Sequence, residues 1–266
     1  MRKIFLIFLA LSVSVSSFAQ KTKKERKEEK RQRINALMKQ EEEGVIAYHK
    51  HTVYGAKLTN DGYGAFLEIG RAQSVKKALL FQLDISERKH PKEEKVSNSL
   101  VPTTPFVYGK INYLYPVKLG VQKQLLFGNK SNKNGVSVTG NFGGGISMGL
   151  LRPYFLEVND NVLGGRKLIR YESADKKLFT DVIQLNNLFV GGAGFGKGWS
   201  NLSVVPGLYA KTALRFDYGR YNEMVNGLEV GLTGEFYTKG VEQMVSNKAK
   251  QFFLNVYIAI IFGRRK

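Results

Sequence analysis

The chemistry open to this chain starts at His90. Ser86 stands four residues before it, and Glu87, Glu93 and Glu94 are close in sequence. A hydroxyl, an imidazole and a carboxylate are the groups of acyl transfer, in which the imidazole takes the hydroxyl proton and the carboxylate orients the ring. Arg88, Lys89, Pro91 and Lys92 interleave with them, and that mixture reads more simply as a solvated loop. His49 and His51 lie at i, i+2, which places both on one face of a strand. A metal site needs a third ligand, and none is evident nearby. Neither metal nor cofactor is therefore expected. Gly191 to Lys197 matches GxxxxGK, but Gly198 stands where a P-loop needs Ser or Thr for Mg²⁺. These glycines read as loop hinges.

The elements that would have to position such groups follow from composition and period. The chain has 266 residues, 41 Lys and Arg against 22 Asp and Glu, a formal charge of +19, and no Cys. Without Cys there is no disulfide scaffold, thiolate metal site or thiol nucleophile. A hydrophobic share of 43% excludes a wholly disordered chain. Residues 1–19 read as a signal peptide: basic Arg2 and Lys3, an apolar run Ile4 to Val13, and Ser17-Phe18-Ala19 as a small-x-small cleavage site. The apolar run is too short to cross roughly 30 Å of hydrocarbon as a helix. Beyond it the longest apolar run is Val256 to Phe262, so any further membrane role must use strands or an interfacial helix. Residues 20–45 form a charged arm, rich in helix formers and free of Gly and Pro from Lys21 to Glu43. It is expected to be a solvated periplasmic helix.

From residue 46 the period is two. In VSVTGNFGGGISMGL, Val136, Val138, Phe142, Ile146, Met148 and Leu150 share one face, and Ser137, Thr139, Asn141, Ser147 and three glycines share the other. Fifteen residues of strict alternation exceed the usual five or six of a soluble strand and suit a lipid-facing wall. The same alternation starts at Tyr54, Tyr63, Leu79, Tyr113, Leu202, Leu228 and Phe252. Asn60-Asp61-Gly62 supplies a tight hairpin turn. The expected fold is all-β: an eight-stranded antiparallel up-and-down transmembrane β-barrel over residues 46–266, with a short N-terminal helical arm. Short turns alternate with long loops at about 87–112 and 151–200. With an even strand count both termini are periplasmic and the long loops face outward. A soluble lipocalin-like barrel would instead place its apolar faces inside.

The export signal, the dyad strands ending at Phe262 and the run NGVSVTGNFGGGISMGLLRPYFLEV resemble small outer-membrane β-barrels of Gram-negative bacteria, of the uncharacterised Bacteroidetes type. The resemblance implies architecture and a cell outer-membrane location, not an activity. Gly263-Arg264-Arg265-Lys266 after the terminal aromatic departs from the usual ending.

Alternation assigns Lys57, Glu68, Asp84, Lys118, Lys211, Arg215, Glu229 and Glu235 to the inner face. An eight-stranded lumen is just wide enough for side chains to fill, and buried charges must be paired, so these eight are expected to form a salt-bridge network. Arg71, Lys76, Lys77, Lys130, Lys133, Arg264, Arg265 and Lys266 make the periplasmic rim basic, fit for outer-membrane lipid or an acidic protein partner. Phe179, Phe189 and Trp199 in the long loop are expected to contact a partner or lipid, and the segment around Leu178–Leu185 has near-helical apolar spacing. Nucleic acid is not expected. The function expected is non-enzymatic and by contact, in envelope integrity or as a subunit of an outer-membrane assembly or secretion machine. The alternative is a barrel enzyme acting on outer-leaflet lipid acyl chains through Ser86 and His90.

Overall fold

The computed structural model describes residues 23–42, 48–96, 104–130, 135–160, 165–172, 176–177, 179–180, 189–219 and 223–266. The signal peptide expected at 1–19 lies outside them. The chain divides into two units, residues 1–47 and 48–266. Among the described residues the first contains one helix, α1 (Lys23–Glu42). Its charges are distributed around the whole helix, so its stability comes from helix-forming residues and pairs spaced three or four apart, such as Glu28 with Arg31. No described helix is long and apolar enough to cross a membrane, which says nothing of strands.

The second unit is built on eight long antiparallel strands: β1 (Lys50–Thr59), β2 (Gly62–Ser74), β3 (Lys77–Arg88), β6 (Asn112–Gly128), β7 (Ser137–Pro153), β11 (Ser203–Asp217), β12 (Met224–Val241) and β13 (Lys250–Arg265). They close in the order β1-β13-β12-β11-β7-β6-β3-β2. The closing seam pairs His51 through Thr59 with Arg265 through Tyr257. These are the eight strands expected from the dyad pattern. Thr59 pairs with Gly62, so Asn60-Asp61 is a two-residue hairpin loop. Both ends of this strand set lie at one end of the wall, with the turns after β2, β6 and β11. The opposite end carries the loops after β1, β3, β7 and β12.

The faces are reversed relative to a water-soluble barrel. Buried and exposed residues alternate along β11 and β12 for almost their full length. Glu68 and Glu229 have no exposed surface, while Leu208 is 63% and Leu254 62% exposed. The lumen is layered. At the loop end Leu114, Leu151, Val205, Tyr237 and Val241 pack together. At the termini end Val53, Phe66, Val225, Tyr257 and Ile261 do so. Charge occupies the space between, a sandwich that period alone did not reveal. Gly120 shows why small residues stripe the inner face: a Cβ there would meet the Tyr209 hydroxyl.

The long loops fold. The loop after β3 contains β4 (Lys95–Val96) paired with β5 (Phe106–Val107). The loop after β7 contains β8 (Phe155–Asp160), β9 (Gly165–Arg170) and β10 (Phe189–Gly192), in the order β10-β8-β9. These strands were not expected. The amphipathic helix expected near Leu178 is present only as far as residues 176–177 and 179–180 are helical, and its continuation lies outside the described residues.

Candidate functional site

Two places gather side chains that could act: the filled lumen and the folded loop end. All eight charged residues assigned to the inner face are buried there. Near the termini end, the Arg215 guanidinium meets Glu68 at 2.5 Å and Glu229 at 2.5 Å. Lys211 Nζ reaches Glu229 at 2.9 Å and Glu68 at 3.6 Å. The Tyr257 hydroxyl and the Asn141 amide also donate to Glu229, at 2.6 and 3.1 Å. Nearer the loop end, Lys57 pairs with Asp84 at 2.5 Å and Lys118 with Glu235 at 2.7 Å. The Tyr237 hydroxyl donates to Glu235 at 2.8 Å. Gln122 donates to Gln82 between the two groups.

Position in the ring matters more than number. Arg215 on β11 and Glu68 on β2 stand four places apart in an eight-strand ring, directly opposite. So do Arg88 on β3 and Glu235 on β12, which meet at 2.8 Å. Ion pairs therefore bridge the full lumen at two levels. Beside the upper bridge is a void of about 10 Å³ lined by Lys57, Ser86, Arg88, Lys118, Thr233 and Asn255, room for about one water molecule. The wall has no space there for a column of hydrated ions.

Arg88 is a central member that the sequence reading placed in a loop. β3 keeps its alternation past Ile85 as far as Arg88, whose Nε also reaches Asp61 at 2.8 Å. Asp217 is another. It accepts from Lys130 Nζ at 3.3 Å and from the Arg265 guanidinium at 2.8 Å. Lys130 and Arg265 are thus not open rim charges. Asp217 draws Lys130 in across the termini end, because a buried carboxylate without a cation is costly. Arg71, Lys76, Lys77, Arg264 and Lys266 are exposed, and Lys133 lies outside the described residues.

At the loop end the aromatic residues take three different roles. Phe179 is fully buried with Phe106, Tyr154, Leu156, Val158 and Ile169. It is core, not a contact surface; the loop needs an apolar centre to stay folded, and Phe179 supplies part of it. Phe189 begins β10, and its side chain lies outside the described residues. Trp199 is 40% exposed and stacks on Tyr115 at 5.4 Å between ring centroids. Gly198, at φ 92°, turns the chain toward it, and a Cβ there would meet the Pro153 carbonyl at 2.7 Å. Arg152 lies under this cluster, its guanidinium 4.8 Å from the Trp199 ring, 4.7 Å from Phe195 and 4.3 Å from Tyr113. Backbone bonds tie three loops together: Ile111 N to Gln243 O at 2.8 Å, Val245 N to Gly109 O at 2.8 Å, and Tyr154 N to Ile111 O at 2.7 Å. Lys110 sits buried on Glu93 at 2.5 Å, and burial pulls its ammonium below the ordinary value against the opposing pull of Glu93. Burial also pushes the Tyr154 hydroxyl up to about 12.

The acyl-transfer pair is not assembled. Ser86 is buried on the lumen side of β3, whereas His90 lies beyond the strand, its Nδ1 accepting from Lys92 N at 3.2 Å and its backbone N donating to Glu93. Among the described residues no hydrogen bond joins Ser86 to His90. His49 is exposed just before β1, and no group of three or more His, Cys, Asp or Glu among the described residues is placed to hold a metal. The GxxxxGK run begins in β10, and only a single 3-10 turn, Trp199–Asn201, follows it; a P-loop needs a helix N-terminus there.

No protein family and no curated protein matches the chain. Among solved structures it is similar to the N-terminal β-barrel domain of Pseudomonas aeruginosa OprF, with 10% identity, TM-score 0.33, and coverage of 81% of this chain and 98% of that one. It is similar also to Neisserial surface protein A (10%, TM-score 0.36, 82% and 97%) and to Ail of Yersinia pestis (8%, TM-score 0.32, 82% and 98%). Likeness at this level assigns no role.

Proposed function

We propose that this chain is an outer-membrane β-barrel of a Gram-negative bacterium that works by contact at its folded outer end, with the wall as anchor and not as conduit. The observation that carries this is the reversed wall: ion pairs bridge the lumen between opposite strands, and the outward face is apolar. In water such a surface would aggregate; in hydrocarbon every strand is paired and every apolar side chain is at home. Aromatic side chains mark both borders. Tyr54, Phe127, Tyr218 and Phe262 are exposed toward the termini end, and Tyr63, Trp199, Phe236 and Phe252 toward the loop end, as expected of interfacial girdles. The signal peptide at 1–19 and the Bacteroidetes-type likeness of the 134–158 run belong to this proposal. So does a role in envelope integrity or in an assembly or secretion machine.

Exposed Tyr108, in the turn after β5, and exposed Leu168, on β9, are the apolar surface a protein partner would cover. The test has two arms. The full chain should fractionate with the outer membrane and run as a heat-modifiable band, and planar-bilayer recording should give no large steady conductance. In mild-detergent purification a stoichiometric partner should accompany the wild type and be lost from a Tyr108→Ser/Leu168→Ser variant that still folds. A stable ion-selective current refutes the filled wall. A partner equally retained by the variant, or none in either, counts against contact through this end.

A further inference from the structure

One stretch of the outer wall does not match the rest. Along β6 the outward side chains run Leu119, Val121, Lys123, Leu125, Phe127. Lys123 is exposed and has apolar outward neighbours on both sides along its own strand. A cation on a lipid-facing wall is costly at midplane and tolerated near the headgroups, so it needs an anion or a headgroup. Register supplies two companions. Lys123 pairs across to Leu79 of β3, and Leu79 to Arg71 of β2. Lys77 lies one outward position farther along β3 toward the termini end. Arg71, Lys77 and Lys123 are all exposed on the outward face, within about 10 Å by strand spacing. Among the described residues none of the three makes an ion pair, in contrast to Lys130 and Arg265 at the same end.

Directly toward the loop end from these cations the wall is indented. A groove of about 520 Å³ is lined by Leu67, Ile69, Phe81, Leu119, Val121 and Ile146, among others, with Gly144 where a bulky side chain would fill it. Ile69, Phe81 and Val121 are the next outward residues after Arg71, Leu79 and Lys123, so groove and cations are continuous.

We propose that this face is a binding site for one anionic diacyl phospholipid of the inner leaflet, its phosphate held by Arg71, Lys77 and Lys123 and an acyl chain lying in the groove. This rests on the membrane-spanning reading above, and the test separates the two. The full chain is reconstituted in phosphatidylethanolamine vesicles containing a minor share of phosphatidylglycerol, checked for a heat-modifiable band, extracted gently and weighed by native mass spectrometry. The wild type should retain phosphatidylglycerol well above its share of the vesicle. Arg71→Gln/Lys77→Gln/Lys123→Gln should lose it. Val121→Trp, which fills the groove and leaves the cations intact, should also lose it. Arg264→Gln/Lys266→Gln, at the same end, on β13 and just after it, should keep it. Equal retention by the triple variant, or equal loss in the β13 control, overturns the site in favour of general rim attraction. Failure of the wild type to insert at all would instead strike the membrane reading.

Discussion

Wall and outer lobe are made by one chain under opposite rules. In the wall, Arg215, Glu229 and Lys211 are inside and Leu208, Val256 and Ile258 are outside. In the lobe, Phe106, Leu156, Ile169 and Phe179 are inside, and Arg166 and Lys167 are outside. The reversal takes place within a few residues of Pro153, where β7 leaves the wall and β8 begins. What changes there is the solvent. Burial drives side chains together only where the alternative is water; in hydrocarbon the apolar outward face gains nothing from hiding, and packing with polar pairing must hold the inside. On the proposed membrane-spanning reading the chain carries its own mark of where lipid gives way to water, and Trp199 and Tyr115 stack at that level. Arg152 beneath them has aromatic faces and the Phe195 carbonyl, to which it donates at 2.5 Å, in place of a carboxylate.

This contrast can be broken from either side. The largest effect is expected in the wall. Arg215→Met leaves Lys211 to face both buried carboxylates, Glu68 and Glu229, and removing one partner of a buried ion pair costs about 3–5 kcal/mol. The urea midpoint of the vesicle-inserted protein should fall strongly, with wall and lobe lost together. In the lobe, Phe179→Ala opens a cavity in a small core and costs about 3 kcal/mol locally. Limited proteolysis should cut the 155–196 segment readily, while the heat-modifiable band persists. Cuts with no loss of the wall would establish that the two regions are held separately; collapse of the wall would tie them together.

Smaller effects sharpen the border. Trp199→Ala removes two aromatic contacts and part of the cover over Arg152. A loss of about 1 kcal/mol is expected, seen as earlier cleavage near residue 195 and not as a change in insertion. The smallest effect concerns His90. Burial and the nearby Lys250 hold its imidazole below the ordinary value, against Glu93. Its neutral form is thus favoured in the folded lobe. The associated stability is present above the ordinary histidine value and lost as pH falls. Lowering pH from about 7.5 to about 5 should slightly speed lobe proteolysis, and His90→Gln should remove that increment.

The wall was largely legible from sequence because one physical constraint repeats. A side chain faces in or out by parity, so fifteen residues such as Val136 to Leu150 state the same thing many times. The inner charges followed from that parity. Arg88 was missed because it lies where the wall hands over to loops and alternation is cut short. Asp217 went unnoticed because its partners Lys130 and Arg265 are 87 and 48 residues away, joined only by ring closure. The lobe was illegible for a related reason. β8, β9 and β10 are four to six residues each, too short for period to speak, and Phe179 had the same composition signal as an exposed anchor. The phospholipid face was hidden differently: Lys123 is ordinary in its own strand, and register alone sets Arg71 and Lys77 near it.

The central claim is that the apolar face of the wall touches hydrocarbon. The direct test is fluorescence quenching of a single Trp placed at Ile258 in a Trp199→Phe background, in vesicles of lipids brominated along the acyl chain. Ile258 faces outward and is 49% exposed. The brominated chains should quench strongly and aqueous acrylamide almost not at all. Quenching by acrylamide with no effect of the brominated lipid would place that face in water and overturn the membrane-spanning wall.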